Sequence, residues 1–167
     1  MFYRRKIILS LFQLCNGNVE KTKLQKLLFL YSQRKLESEY DFIPYKYGCY
    51  SYSANADLVT MVKKEYLTES EKGYTKIDPK NYLTSLKPKD RELLTETINS
   101  YGSMGSEKLI RHTYINFPYY AINSTIAQRI LNEEYYNKVL VDASLLQEID
   151  FKSLNSDSDT SVYVKQN

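Results

Sequence analysis

The sequence predicts a mainly helical α+β fold, a compact helical domain carrying a small β-hairpin and compatible with a winged-helix plan in its first half. Three observations predict it. Apolar residues recur at helical spacing in five or more segments, starting with Ile7, Ile8, Leu11, Phe12 and Cys15. Two short β-compatible runs, near Tyr66–Thr68 and Tyr74–Ile77, flank Ser70-Glu-Lys-Gly73. The chain has 167 residues, 43% of them hydrophobic and 14% aromatic, enough for one domain with a real core.

The first helix is expected from about Tyr3 to Leu14, with Arg4, Arg5 and Lys6 opening its exposed side. Asn16-Gly17-Asn18 ends it, because Gly and Asn accept the left-handed conformation at helix ends. Thr22 starts the second helix, and Thr22 with Gln25 has the spacing of a capping box. Leu24, Leu27, Leu28 and Tyr31 make its apolar face, with Lys23, Lys26 and Arg34 largely off it. Pro44 biases Ile43 toward extended backbone, and Gly48 suits a turn that a side chain would forbid. A third helix is expected from an N-cap near Ser53 to about Lys64, with Leu58, Met61 and Val62 inward.

The hairpin follows and ends at Asp78-Pro79. Pro88 suits the first turn of a helix that runs to about Tyr101, with Asp90 and Glu92 favourably placed near its start. Gly102-Ser-Met-Gly105 is a break, and Ser106 is expected to cap a helix containing Leu109, Ile110 and Tyr114. Asn116-Phe-Pro-Tyr-Tyr reads as an aromatic loop, and Ser124 caps a shorter helix ending near Leu131. Tyr135–Ile149 is less regular. The expected organisation is one domain over residues 1–150 and a polar, mobile tail over residues 151–167.

Charge and cysteine usage narrow the function classes. Net charge is +3, but residues 1–50 hold nine Lys/Arg against four Asp/Glu, an excess of five. That basic front end suits nucleic acid or an acidic protein, although a solvated, Lys-rich helix face explains it more simply. No run approaches the roughly 20 apolar residues of a membrane helix. The apolar run after Arg4-Arg-Lys6 stops near Leu14 without a small-residue cleavage site, so a cytoplasmic protein without a membrane partner is expected. Cys15, Cys49 and the single histidine, His112, are scattered, so neither a metal site nor a cofactor is expected. No phosphate loop, dinucleotide fingerprint or nucleophile elbow occurs. A reactive Cys49 would need His112 as its base, and a small residue beside the Gly48 turn is the simpler account. The expectation is a non-enzymatic protein.

The feature that asks for a use is Tyr40-Asp-Phe-Ile-Pro-Tyr-Lys-Tyr-Gly-Cys-Tyr-Ser-Tyr52, with five tyrosines in thirteen residues. Rings dominate core and interface energetics alike, so Tyr45, Lys46, Tyr47, Tyr50 and Tyr52 are candidates for a contact surface. Alternate rings could equally pack inward on Leu27, Leu28 and Tyr31, and an even division is expected. In the winged-helix alternative the third helix would enter a DNA groove, the Ser70–Gly73 turn would be the wing, and Lys63, Lys64, Lys72 and Lys76 would touch phosphates. Against it stand Glu65, Glu69 and Glu71, and a long connector before the third helix.

Taken together, Lys23-Leu-Gln-Lys-Leu-Leu-Phe-Leu-Tyr31 and Phe42-Ile-Pro-Tyr-Lys-Tyr-Gly-Cys-Tyr-Ser51 resemble the SocA-like, or Panacea, domain. The resemblance is clear over about residues 20–67 and diffuse from there to about residue 131. Leu24, Gln25, Lys26, Leu27 and Leu28 match the family's helix motif, and Tyr45, Tyr47 and Gly48 its aromatic motif. Cys49 stands where the family usually has proline, which marks a divergent branch. The resemblance implies a largely helical antitoxin that neutralises a toxin or effector encoded nearby, or an adaptor delivering a partner to a protease, in phage-related conflict.

Overall fold

In the computed structural model, residues 1–132 and 136–137 are described. Helix α1 (Tyr3–Leu14) runs the expected length and ends at Asn16 and Gly17, both with positive φ. Strand β1 (Asn18–Glu20) follows, then α2 (Lys21–Ser32). The hairpin β2 (Ile43–Tyr45) and β3 (Gly48–Tyr50) leads into α3 (Tyr52–Lys63). A second hairpin, β4 (Leu67–Glu69) and β5 (Gly73–Lys76), precedes α4 (Pro88–Tyr101), α5 (Ser106–Asn116) and the short α6 (Ala127–Ile130). The fold is mainly helical with small antiparallel sheets, as the sequence predicts.

Helix α2 is the axis of the molecule and the largest departure from its sequence pattern. All nine residues from Leu24 to Ser32 are buried, Gln25 and Lys26 included, where one apolar stripe was expected. A helix enclosed on every side needs neighbours on every side. Here they are α4, α5 and β3. Phe29 anchors the packing, with the rings of Phe42, Phe117 and Tyr120 edge-on to it at centroid distances of 5.3, 5.0 and 4.6 Å. The aromatic loop after α5 therefore packs half-buried against the core: it forms a 3-10 turn, Pro118–Ala121, in contact with the hairpin β2–β3.

Strand β1 was not foreseen. It pairs antiparallel with β5, giving a sheet ordered β1-β5-β4, and Val19 sits opposite Tyr74. Setting β2–β3 aside, the order helix, strand, helix, helix, hairpin, with the lone strand bonded to the hairpin's second strand, is winged-helix connectivity. The β2–β3 hairpin fills the long connector between α2 and α3.

Several local expectations are corrected. The capping box at Thr22 does not form: the N-cap of α2 is Glu20, without a side-chain cap, and Gln25 points into the core. Helix α3 is capped by Ser51, whose Oγ accepts from the amide of Ala54, rather than by Ser53. Ser106 lies inside α5 and donates to Glu20 instead of capping. Arg4 and Arg5 do not line a solvent face; both grip the buried carboxylate of Asp57, with Nε to oxygen distances of 2.5 and 2.7 Å. The less regular stretch around Tyr135–Ile149 falls almost wholly, and the polar tail over residues 151–167 entirely, outside the described residues.

Candidate functional site

The β2–β3 hairpin is held rigidly from both sides. From below, α2 reaches it with two adjacent side chains. The Gln25 amide accepts from the Ser51 backbone N–H at 3.0 Å and donates to the Ser51 carbonyl at 3.4 Å. Lys26 Nζ donates to the Cys49 carbonyl at 2.9 Å. From the other side, the Lys46 carbonyl at the hairpin tip accepts from the Thr125 amide at 3.0 Å, and Asn123 donates to the Pro44 carbonyl. The expected helix motif and the expected aromatic motif are thus one physical unit.

Gly48 closes the hairpin. Its φ is +87°, while neither Lys46 nor Tyr47 has positive φ, so the left-handed residue the loop needs is the glycine. A Cβ there would also lie 2.6 Å from Cε1 of Tyr114, whose hydroxyl is hydrogen-bonded to Ser124.

The tyrosines grade from core to surface where an even division is expected. Tyr40 is buried, with its hydroxyl donating to the Arg4 carbonyl. Tyr45, Tyr50 and Tyr52 form a three-ring cluster, with centroids 5.0, 5.9 and 5.0 Å apart. Tyr45 and Tyr50 are half-buried; Tyr47 and Tyr52 are 53% and 58% exposed, and Lys46 is exposed beside them. Rings packed tilted and edge-on against one another keep their orientation, so this face offers apolar area and hydroxyls at little cost in ordering.

Beside the cluster lies a cavity of about 380 Å³ between α2, the hairpin and the β4–β5 turn. Lys26 lines it although the residue is only 1% exposed. Burial pushes the Lys26 ammonium below the ordinary lysine value, and the neighbouring Cys49 works in the opposite direction. Burial likewise pushes the Cys49 thiol up to about 11, against the pull of Lys26.

The residues of the nucleic-acid alternative lie on three elements, α3, the β4–β5 turn and β5. Lys63 and Lys64 end α3, and Lys72 sits in the β4–β5 turn beside Glu71. Lys76 donates to the carbonyls of Asp78 and Lys80. His112 packs against Tyr101 and contacts Asn116, and no hydrogen bond joins it to Cys49 among the described residues. Among those residues, too, no group of three His, Cys, Asp or Glu side chains is placed to hold a metal ion. No helix among them is long and apolar enough to cross a membrane.

No model of a known protein family matches this chain, and no curated protein is significantly similar to it. Sequence reasoning missed Asn123, Ser124 and Thr125 as hairpin supports, and Lys21 and Thr22 as cavity walls. The Asn-Ser-Thr run carried a signal for local hydrogen bonding. Nothing in its spacing pointed to a partner 79 positions away.

Proposed function

We propose that this chain is a non-enzymatic protein-interaction domain of the SocA-like type, an antitoxin or adaptor of a phage-defence system that binds and blocks a toxin or effector encoded nearby. The observation that carries the reading is the exposed tyrosine face on a hairpin fixed by the two motif side chains Gln25 and Lys26. A rigid, aromatic surface suits steric blockade, since a handful of Tyr and Arg side chains supply most of the energy of many interfaces. The blocking mechanism needs only coverage of the partner's functional surface by Tyr45, Tyr47, Tyr50, Tyr52 and Lys46.

The test is co-expression with the adjacent gene product. Copurification and restored growth are expected with the native chain and lost when Tyr47 and Tyr52 are both changed to alanine. Undiminished rescue by that double variant, correctly folded, removes this face from the proposal.

Winged-helix connectivity favours one second reading, a DNA-binding subunit. Its helix α3 would present Tyr52, Ala56, Val59 and Lys63 outward, a stripe with a single positive charge. Phosphate contacts release counterions, so binding of this kind weakens steeply with salt. Duplex binding that drops with salt and with neutralised Lys63, Lys64 and Lys72 favours it; salt-independent or absent binding excludes it.

A further inference from the structure

The cavity between α2 and the two hairpins has features that docking a protein on the tyrosine face does not require. Its size of about 380 Å³ lies in the range of small-ligand sites. Its walls carry the rings of Tyr45, Tyr47 and Tyr50, and three basic residues, Lys21, Lys26 and Lys72, against one acid, Glu71. Lys21 is already paired with Glu69 on β4. Lys26 is different in kind, because it is the buried one. An ammonium has three N–H donors, and Lys26 directs one of them to the Cys49 carbonyl. Among the described residues, no carboxylate forms an ion pair with it. A buried cation without an anion is costly, and proteins normally pair such a group. Thr22, in the first turn of α2, lines the same wall, at the end of the helix where the dipole favours negative charge.

We propose that this cavity is a binding site for a carboxylate carried on an aromatic or other apolar body, with Lys26 meeting the carboxylate and the tyrosine rings enclosing the body. A carboxylate supplies one negative charge and acceptors enough for an ammonium. An apolar carrier is matched to ring walls that a bare inorganic anion would leave unfilled. The proposal stands apart from the protein-docking role and holds or fails without it.

The experiment is a titration of the isotopically labelled full chain, followed by NMR, with phenylacetate, its neutral analogue phenylacetamide, and inorganic phosphate as probes. Phenylacetate is expected to shift the amides of Thr22, Lys26 and Cys49 together with the Lys26 side-chain signals, and to bind about tenfold more tightly than phenylacetamide. Lys26→Met is expected to abolish that preference. Should this variant fail to fold, the Lys26 side-chain signals of the native chain and the surface variant Lys72→Gln, expected to bind a few-fold more weakly, decide the matter. Acetyl-Gly-Phe as free acid and as amide separates the sources: binding of the free-acid peptide points to a chain terminus, binding of phenylacetate alone to a free small acid, and either supports the site. Equal binding of phenylacetate and phenylacetamide overturns the proposal, as does tighter binding of phosphate at the same amides, or no shift at all.

Discussion

The side-chain amide of Gln25 on α2 pairs with both backbone groups of Ser51, as a neighbouring strand would, accepting from its N–H and donating to its carbonyl. Ser51 is fully buried and also starts α3: its carbonyl receives the Asn55 amide at 3.1 Å and its hydroxyl receives that of Ala54. One glutamine therefore sets where the hairpin ends and where the next helix begins. Gln25→Leu keeps the volume but leaves the Ser51 N–H buried without its acceptor, while the carbonyl retains Asn55. The expected loss is about 1–3 kcal/mol, the cost of one orphaned buried donor. Urea unfolding measures it, and amide exchange should show Ser51 losing protection locally. A variant as stable as the native chain contradicts this account.

Gly48→Ala combines two penalties. Alanine at φ +87° is strained, and its Cβ would meet the ring of Tyr114 at 2.6 Å. Tyr114 is buried and tied to Ser124, so the ring cannot swing away freely. The expected destabilisation is roughly 2–4 kcal/mol, from strain and overpacking together. Gly48→Ala combined with Tyr114→Leu removes the clash and leaves the strain. Partial recovery in the double variant is the expected thermal-unfolding result; no recovery assigns the whole effect to the backbone.

The exposed tyrosines separate binding from folding. Tyr47→Ala is expected to change stability by no more than about 0.5 kcal/mol, as for other exposed positions away from special contacts. Tyr50→Ala opens the three-ring cluster and costs more. If the tyrosine face meets a partner, Tyr47→Ala and Tyr52→Ala should each weaken that complex by about 2 kcal/mol, the scale of an interface hot spot. Calorimetry of the partner complex beside unfolding of the free chain resolves the two effects. Loss of affinity that merely tracks loss of stability would remove the face from the interface.

Much of this fold is legible in the residues because local rules agree with it. The bounds of α1 and the Pro88 start and Tyr101 end of α4 follow from periodicity and helix-end chemistry. The β4–β5 hairpin is found within a residue or so of the expected runs. What failed was decided by tertiary contact. Gln25 carries the spacing of a capping residue, but Ser51 offers it two partners where the helix end offers one. Lys26 looks like a solvated lysine until α2 proves to be surrounded. Strand β1 is three residues long, too short for any period, and exists because β5 lies beside it. At the site, the tyrosine-rich segment announced itself by composition, whereas the cavity beside it is formed by residues far apart in sequence.

Acid should unfold this protein through two buried carboxylates. At Asp57, burial alone would raise the pKa, but Arg4 and Arg5 outweigh it and hold the carboxyl below the usual range. At Asp90, burial again opposes, and Lys35 with the Tyr3 hydroxyl brings the pKa down. A carboxyl whose pKa is lower in the folded than in the unfolded chain stabilises the fold fully above the unfolded value, about 3.9 for aspartate. That contribution is lost as pH falls through the folded value, because the unfolded chain takes up protons first. The urea midpoint is therefore expected to be insensitive to these groups near neutrality and to fall steeply below about pH 4. Asp57→Asn leaves two arginines facing a neutral amide and should cost about 3 kcal/mol near neutral pH, the low end for a broken buried pair because Arg4 is partly exposed. Since the titrating group is gone, its stability should decline less steeply in acid than that of the native chain. Parallel acid profiles for the two proteins would show that Asp57 does not titrate as its arginine contacts require.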